Sequence, residues 1–175
     1  MARRRSLTLD PIAEARRRWD ERWDGGSPMA AATSIMRAQQ IVQAAVDDAL
    51  RGLGLTFARY EALVLLTFSR RGSLPMGKMG ERLMIHPTSV TNIVDRLEQQ
   101  GLVERLPHPS DRRTTLVSIT AEGRRLAELG SKEVAAGDFG LGGMSERELD
   151  QLTHLLRKLR IAVGDFRVRP THGRS

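Results

Sequence analysis

The strongest constraint on the fold comes from the middle of the sequence, where a helical pattern ends abruptly and strand patterns follow. Pro87 can begin a helix, because its missing N–H would be unpaired in the first turn anyway. Three apolar side chains then recur at helical spacing: Val90, Val94 and Leu97. Gly101 is a typical helix stop. We therefore predict a helix over residues 87–100 that buries one face.

Two short strands are predicted immediately after this helix. Residues 102–106 and 115–119 are rich in Leu, Val, Ile and Thr, and the turn-rich, cationic segment 107–113 separates them. This pattern indicates a β-hairpin with a basic tip. No other clear strand signal is found, so the hairpin is the predicted β-structure of an otherwise helical chain.

The remaining predicted elements are helices. Aromatic residues make up only 4% of the sequence, and Ala, Leu, Arg and Glu are abundant, which favours packed helices over a sandwich of strands. Residues 29–50 carry an apolar stripe, and Thr120 can cap a further helix. A short segment, residues 76–83, precedes the helix at Pro87. The fold class predicted from this order is mainly α: a winged helix-turn-helix with a small hairpin as its wing.

Composition excludes several functions. Lys and Arg outnumber Asp and Glu by 28 to 21, so the formal charge is +7, which favours polyanionic partners. The chain has no cysteine, hence no disulfide, thiolate metal site or cysteine nucleophile. Its four histidines lack metal-ligand spacing, and no phosphate loop or nucleophile elbow is present. We predict neither an enzyme nor a bound metal or cofactor.

No targeting or membrane segment is predicted. Residues 7–22 carry charges throughout, so they lack the apolar region of a signal peptide. No window approaches the roughly 20 apolar residues that cross a bilayer. These patterns predict a cytoplasmic protein without a membrane partner.

The helix over residues 87–100 has a polar edge suited to reading double-stranded DNA. A helix fits the major groove, where the base edges present a unique set of hydrogen-bond donors and acceptors. Short polar groups near the helix N-terminus, followed by one cation, could reach these edges or a phosphate. The predicted contacts on this helix are Thr88, Ser89, Thr91, Asn92 and Arg96.

The hairpin tip supplies a second predicted DNA contact. The minor groove is narrow and electronegative at A·T-rich steps and therefore attracts a guanidinium. We predict that Arg113 inserts there, that Arg112 contacts phosphate, and that Asp111 holds the Arg113 guanidinium by a charge-assisted hydrogen bond.

This arrangement resembles the multiple antibiotic resistance regulator (MarR) family. The segments that carry the resemblance are residues 87–105, the Asp-Arg-Arg tip at 111–113 and residues 116–123, in the family's order and spacing. The resemblance implies a homodimeric repressor that binds a pseudopalindromic operator and is released by a small organic effector. Together with the patterns at the two ends of the sequence, it gives three predicted regions. Residues 1–26 form an N-terminal extension with an extra helix, 27–166 a MarR-like domain, and 167–175 a disordered tail.

Within the MarR-like region, the resemblance assigns residues 56–120 to a DNA-binding winged helix. Residues 28–51 and 121–166 would then form a helical dimerisation lobe. The last helix carries apolar residues in steps of three and four, as in a heptad seam. The predicted dimer-interface residues are Leu149, Leu152, Leu156, Leu159 and Val163.

The N-terminal extension is similar to that of a MarR subgroup that responds to urate and related organic anions. Trp19 matches the position of the subgroup's sensing tryptophan, Glu61 replaces its aspartate, and Arg105 matches an arginine at the start of the wing. Ile93 stands where the subgroup has a second arginine, so urate itself is not predicted. These three matches define a predicted ligand pocket.

Several simpler interpretations remain open at this stage. The polar edge could be an ordinary solvated helix surface, and the heptad seam could be an intramolecular core. Trp19 could simply pack an added helix onto its neighbour. In function, the alternatives are a ligand-independent DNA-binding regulator and a basic helical module that binds acidic proteins.

Overall fold

Helices dominate the computed structural model, which describes residues 7–111 and 113–166. Arg112 and the predicted tail 167–175 lie outside the described residues. The α-helices are α1 (Pro11–Arg22), α2 (Gly26–Leu50), α3 (Phe57–Thr67), α4 (Met76–Leu83), α5 (Pro87–Gln99), α6 (Ala121–Ala136) and α7 (Glu146–Ala162). The strands are β1 (Ser73–Pro75), β2 (Val103–Pro107) and β3 (Thr115–Ile119). The chain divides into two units, residues 1–140 and 141–175, which are described separately.

The second helix begins earlier than its sequence predicts. The prediction started it near residue 28, whereas α2 begins at Gly26, after Gly25 in the left-handed conformation (φ 82°). The Asp20 carboxylate of α1 accepts the Gly26 N–H at 2.8 Å and so satisfies one free donor of the first turn. A Cβ at Gly26 would lie 2.5 Å from that carboxylate, so the contact requires glycine. The cap comes from another helix, which a local pattern does not reveal.

The helix-turn-helix consists of α4 and α5. Met84 joins them in the left-handed conformation (φ 56°), and the Ile85 N–H donates to the Gly80 carbonyl at 3.2 Å. At the start of α5, Nδ1 of His86 accepts the Thr88 N–H at 3.3 Å, and Pro87 occupies the first helical position, as predicted. This turn fixes the direction in which α5 leaves the core.

The core of residues 1–140 is apolar and centred on α3. Leu63 and Leu66 of α3 are completely buried, and α2, α4, α5, α6 and β3 all contribute side chains to the same cluster. The completely buried residues outside α3 include Leu50, Met79, Val94, Leu97 and Val117. No buried side-chain polar atom lacks a partner among the described residues. The core therefore holds α5 by its apolar face and leaves the opposite face free.

The hairpin is confirmed, with one strand more than predicted. β2 and β3 pair antiparallel, from Val103 opposite Ile119 to Pro107 opposite Thr115. β1 pairs antiparallel with the other edge of β3, which gives the order β1-β3-β2. β1 was not predicted, because it has only three residues and ends in proline, which sheets accept at an edge.

A close approach of α6 to the sheet orients the helix that leaves the hairpin. The Thr120 hydroxyl accepts the Gly123 N–H at 3.0 Å, which confirms the predicted cap, and donates to the Gly101 carbonyl at 2.9 Å. A Cβ on Gly123 would lie 2.1 Å from the Leu102 carbonyl oxygen. Only glycine allows α6 to start this close to the first residues of the wing.

In the second unit, α7 begins with the predicted capping box. Both the backbone N–H and the hydroxyl of Ser145 donate to the Glu148 carboxylate, at 2.8 and 2.7 Å. No residue of α7 is buried. Leu149, Leu152 and Leu156 are half-buried, whereas Leu159 and Val163 are 51% and 73% exposed. An apolar stripe of this length is thus left largely uncovered.

Candidate nucleic-acid interface

The polar edge of α5 faces solvent. Its buried face consists of Val90, Val94 and Leu97, each at most 1% exposed. All five residues predicted to contact DNA are exposed on the remaining surface: Thr88, Ser89, Thr91, Asn92 and Arg96. Among the described residues, the Asn92 amide makes no hydrogen bond, so its donors and acceptor are available. The Thr91 hydroxyl donates to the Pro87 carbonyl at 3.2 Å and keeps its lone pairs free.

The hairpin tip is ordered by Asp111, but through the backbone. Asp111 was expected to hold the Arg113 guanidinium. Instead its carboxylate accepts the Arg113 backbone N–H at 3.0 Å and the Thr114 hydroxyl at 2.6 Å. The hydrogen bond from Thr114, followed by that from the Arg113 N–H, lowers the pKa of Asp111. The acid therefore shapes the turn, because short acidic side chains readily accept hydrogen bonds from the backbone two residues on.

As a result, the Arg113 guanidinium is not held by Asp111. In residues 7–111 and 113–166, its guanidinium forms no ion pair. The tip closes through the His108 N–H donating to the Thr114 carbonyl at 3.2 Å, so Arg113 lies within a closed loop. The structure thus brings the exposed helix edge and an unpaired arginine at the hairpin tip onto the same unit.

An arginine of β2 joins the wing to α5. The Arg105 guanidinium forms ion pairs with Asp95 and Glu98, and its backbone N–H donates to Glu98 at 3.1 Å. The Arg105 side chain is 27% exposed, so the two pairs are partly shielded from water. Because both carboxylates lie on α5, this contact joins α5 to the base of the hairpin.

Arg105 was predicted to line a ligand pocket, and its contact with α5 was not predicted. A signal was present: Asp95 and Glu98 are spaced i,i+3 on one helical face. Arg105 also lies two residues after the buried Val103 in β2, so both side chains are on the same face of the sheet.

The three residues of the predicted ligand pocket lie on three elements. Trp19 of α1 packs against Trp23 with ring centroids 5.0 Å apart, and its indole N–H donates to the Asp24 carbonyl at 3.2 Å. Glu61 of α3 is half-buried, and burial raises the pKa of its carboxyl group. Within the described chain, no hydrogen bond, ion pair or ring contact joins Trp19, Glu61 and Arg105 to one another. The pocket stays a prediction.

Two further features bear on the class of protein. In the part of the chain that the structure describes, no helix is both long enough and apolar enough to span a membrane. Nor do three potential metal-binding side chains come together in that part.

Comparison with known proteins agrees with the fold. Residues 58–115 match the MarR family profile. The transcriptional repressor MdtR of Bacillus subtilis is 31% identical over 131 residues, which cover 72% of this chain and 81% of MdtR. The crystal structure of Sco5413, a MarR family regulator from Streptomyces coelicolor, is 55% identical. The match covers 82% of this chain and 100% of the Sco5413 chain, with a TM-score of 0.76.

A second similar structure contains a ligand. CouR from Rhodococcus jostii RHA1, solved with bound p-coumaroyl-CoA, is 30% identical, with a TM-score of 0.66. The match covers 79% of this chain and 95% of CouR. The chain belongs to the MarR family of transcriptional regulators, which bind DNA through a winged helix-turn-helix and are not enzymes. The predicted family and fold class are confirmed.

Proposed function

We propose that this chain is a homodimeric transcriptional repressor that binds a pseudopalindromic operator in the cytoplasm and is released by a small organic ligand. One observation carries the proposal: the exposed polar edge of α5 and the unpaired Arg113 lie on one unit, joined by the Arg105 ion pairs. Two elements held in a fixed relation suit two neighbouring grooves of a duplex.

In this proposal the roles divide by groove. The first turns of α5 read base edges in the major groove through Thr88, Ser89, Thr91 and Asn92. Arg113 enters the adjacent minor groove, and Arg112, outside the described residues, contacts phosphate. Asp111 acts indirectly, because the hydrogen bonds that it accepts from the Arg113 N–H and the Thr114 hydroxyl set the shape of the tip.

The dimer is proposed from the apolar stripe of α7. Leu159 and Val163 are more than half exposed, and such a stripe on a polar helix is typical of an interface. Two copies would pair through Leu149, Leu152, Leu156, Leu159 and Val163. The proposed organisation keeps the winged helix at residues 56–120, with the dimerisation helices at 28–51 and 121–166 and the extension at 1–26. The two-fold symmetry then requires a site with two half-sites.

Release by a ligand is proposed from two facts. The relative CouR binds p-coumaroyl-CoA, an aromatic and anionic molecule. This chain has a half-buried carboxyl group at Glu61, and the family resemblance assigns Trp19 and Arg105 to the same ligand pocket. A ligand can shift the equilibrium only by binding one conformation better, so an effector must prefer the dimer whose recognition helices misfit the operator.

Selection of bound duplexes from a random pool tests the proposed function. With the full-length chain, we expect an inverted repeat whose half-sites lie about one helical turn, roughly 10 base pairs, apart. Repeating the selection with a panel of aromatic acids should lower recovery for at least one acid.

The other outcomes of this selection are equally informative. A specific site that no acid affects would support a ligand-independent regulator instead. No enrichment at physiological salt would refute the proposal and favour a module that binds acidic proteins.

A further inference from the structure

We infer that Arg59 and Arg96 together form a binding site for one phosphate of the DNA backbone, a site that rests on the proposed DNA-binding function. Arg59 is on α3 and Arg96 on α5. With Gln99 and Gln100, they line one open cavity of about 410 Å³ beside the polar edge. Nothing in the sequence pattern singled out Arg59.

Among the described residues, the two guanidinium groups donate hydrogen bonds only to neutral acceptors. Arg59 donates to the Thr56 hydroxyl at 3.2 Å and to the Gln100 amide oxygen at 3.3 Å. Arg96 donates to the Gln99 amide oxygen at 3.2 Å. All three acceptors are neutral, and no carboxylate forms an ion pair with either arginine among the described residues. Each guanidinium has five N–H donors, so most of them remain free for a phosphate.

The nearest acids on α5 form ion pairs with the wing rather than with Arg96. Asp95 and Glu98 flank Arg96 in sequence, but both pair with Arg105 on the wing. The Arg105 contact therefore engages both carboxylates and offsets one of their two negative charges. Arg59 and Arg96 thus bring two guanidinium groups from two helices to one cavity, and no carboxylate pairs with either among the described residues. Such an arrangement can bind an anion.

The length of α5 places this cavity over the DNA backbone. Its 13 residues span about 20 Å at about 1.5 Å per residue, whereas the major groove is about 12 Å wide. If α5 enters the groove with its first turns and crosses it, the last turns emerge above a phosphate strand. Arg96 lies nine residues after Pro87, about 13 Å along the axis, where the helix leaves the groove. The geometry thus assigns Arg96 to phosphate rather than to a guanine edge.

Salt titrations of Arg59→Gln test the inference. Affinity is measured for the duplex enriched by selection and for a scrambled duplex of equal length. We expect a loss of roughly tenfold on both duplexes, since a phosphate contact is independent of sequence. The negative slope of log affinity against log salt should become less steep by about 0.9. Arg59→Lys should restore most of the slope, because it keeps the charge.

Arg125→Gln is the matched control. It removes the same charge from an exposed arginine that is already paired with Glu122 at 2.6 Å. Its slope should change less than that of Arg59→Gln. Thermal melting of both variants verifies that they are folded.

The remaining outcomes separate the two proposals. If the wild-type protein binds duplex and Arg59→Gln leaves affinity and slope unchanged, the phosphate site is refuted and the proposed function stands. A loss confined to the enriched duplex would also refute it, because it indicates base reading. If sodium phosphate raises the melting temperature of the wild type but not of Arg59→Gln, with no change in the DNA slope, the cavity is a free-anion site. If the wild type binds no duplex, the proposed function itself fails.

Discussion

Replacing Leu156 by aspartate is expected to convert the chain from a dimer to a monomer. Leu156 is half-buried in the middle of the α7 stripe, and in the proposed dimer a partner would cover it completely. Burying an unpaired carboxylate costs several kcal/mol, so we expect the dimer dissociation constant to rise at least about 100-fold. Sedimentation velocity at micromolar concentration measures the change directly.

His154→Asp is the control for this experiment. His154 is exposed on the opposite side of α7, and the same charge there should leave the dimer intact. DNA binding should follow the oligomeric state, because a monomer can occupy only one half-site. A Leu156→Asp protein that still sediments as a dimer would remove α7 from the interface.

Replacing Arg105 by alanine is expected to weaken operator binding by about tenfold or more, even with no ligand present. The substitution removes the ion pairs between β2 and α5 and leaves the Asp95 and Glu98 carboxylates without their cationic partner. Asp95 lines a cavity with Asn92, Arg96 and Gln99, so its free charge would lie beside the proposed DNA contacts. Affinity of the variant for the enriched duplex is the measurement.

The folded state should tolerate this change. All three side chains are partly exposed, at 27%, 46% and 39%, and such ion pairs contribute at most about 1 kcal/mol to stability. Arg105→Lys should recover only part of the affinity, since a single ammonium cannot match the planar fork of a guanidinium. Undiminished DNA binding by Arg105→Ala would show that the ion pairs do not position the recognition helix.

Local signals were sufficient for most of the fold. The Pro87 start of α5, the Thr120 cap, the Ser145 capping box and the hairpin strands follow from residues adjacent in sequence, and the structure has all of them. The elements that were missed depend on distant partners. β1 exists because it pairs with β3, and α2 starts at Gly26 because Asp20 of another helix caps it.

The same distinction holds at the candidate site. The exposed edge of α5 follows from helical periodicity, so its residues could be listed in advance. The roles of the charged side chains could not be predicted in the same way, because a guanidinium can reach several possible partners. Asp111 accepts the Arg113 backbone N–H rather than its guanidinium, and Arg105 pairs with two carboxylates. Arg59 and Arg96 line one cavity although they are 37 positions apart in sequence. Only the fold decides which of these charges meet.

The most direct test of the central claim is the salt dependence of binding to the enriched and scrambled duplexes, measured for the wild type, Asn92→Ala and Arg113→Ala. If α5 reads bases while the hairpin tip enters the neighbouring groove, Asn92→Ala loses about 1–3 kcal/mol of discrimination and keeps its salt slope. Arg113→Ala then weakens binding to both duplexes and makes the negative salt slope less steep by about 0.9. Wild-type discrimination and slope in both variants would contradict the account.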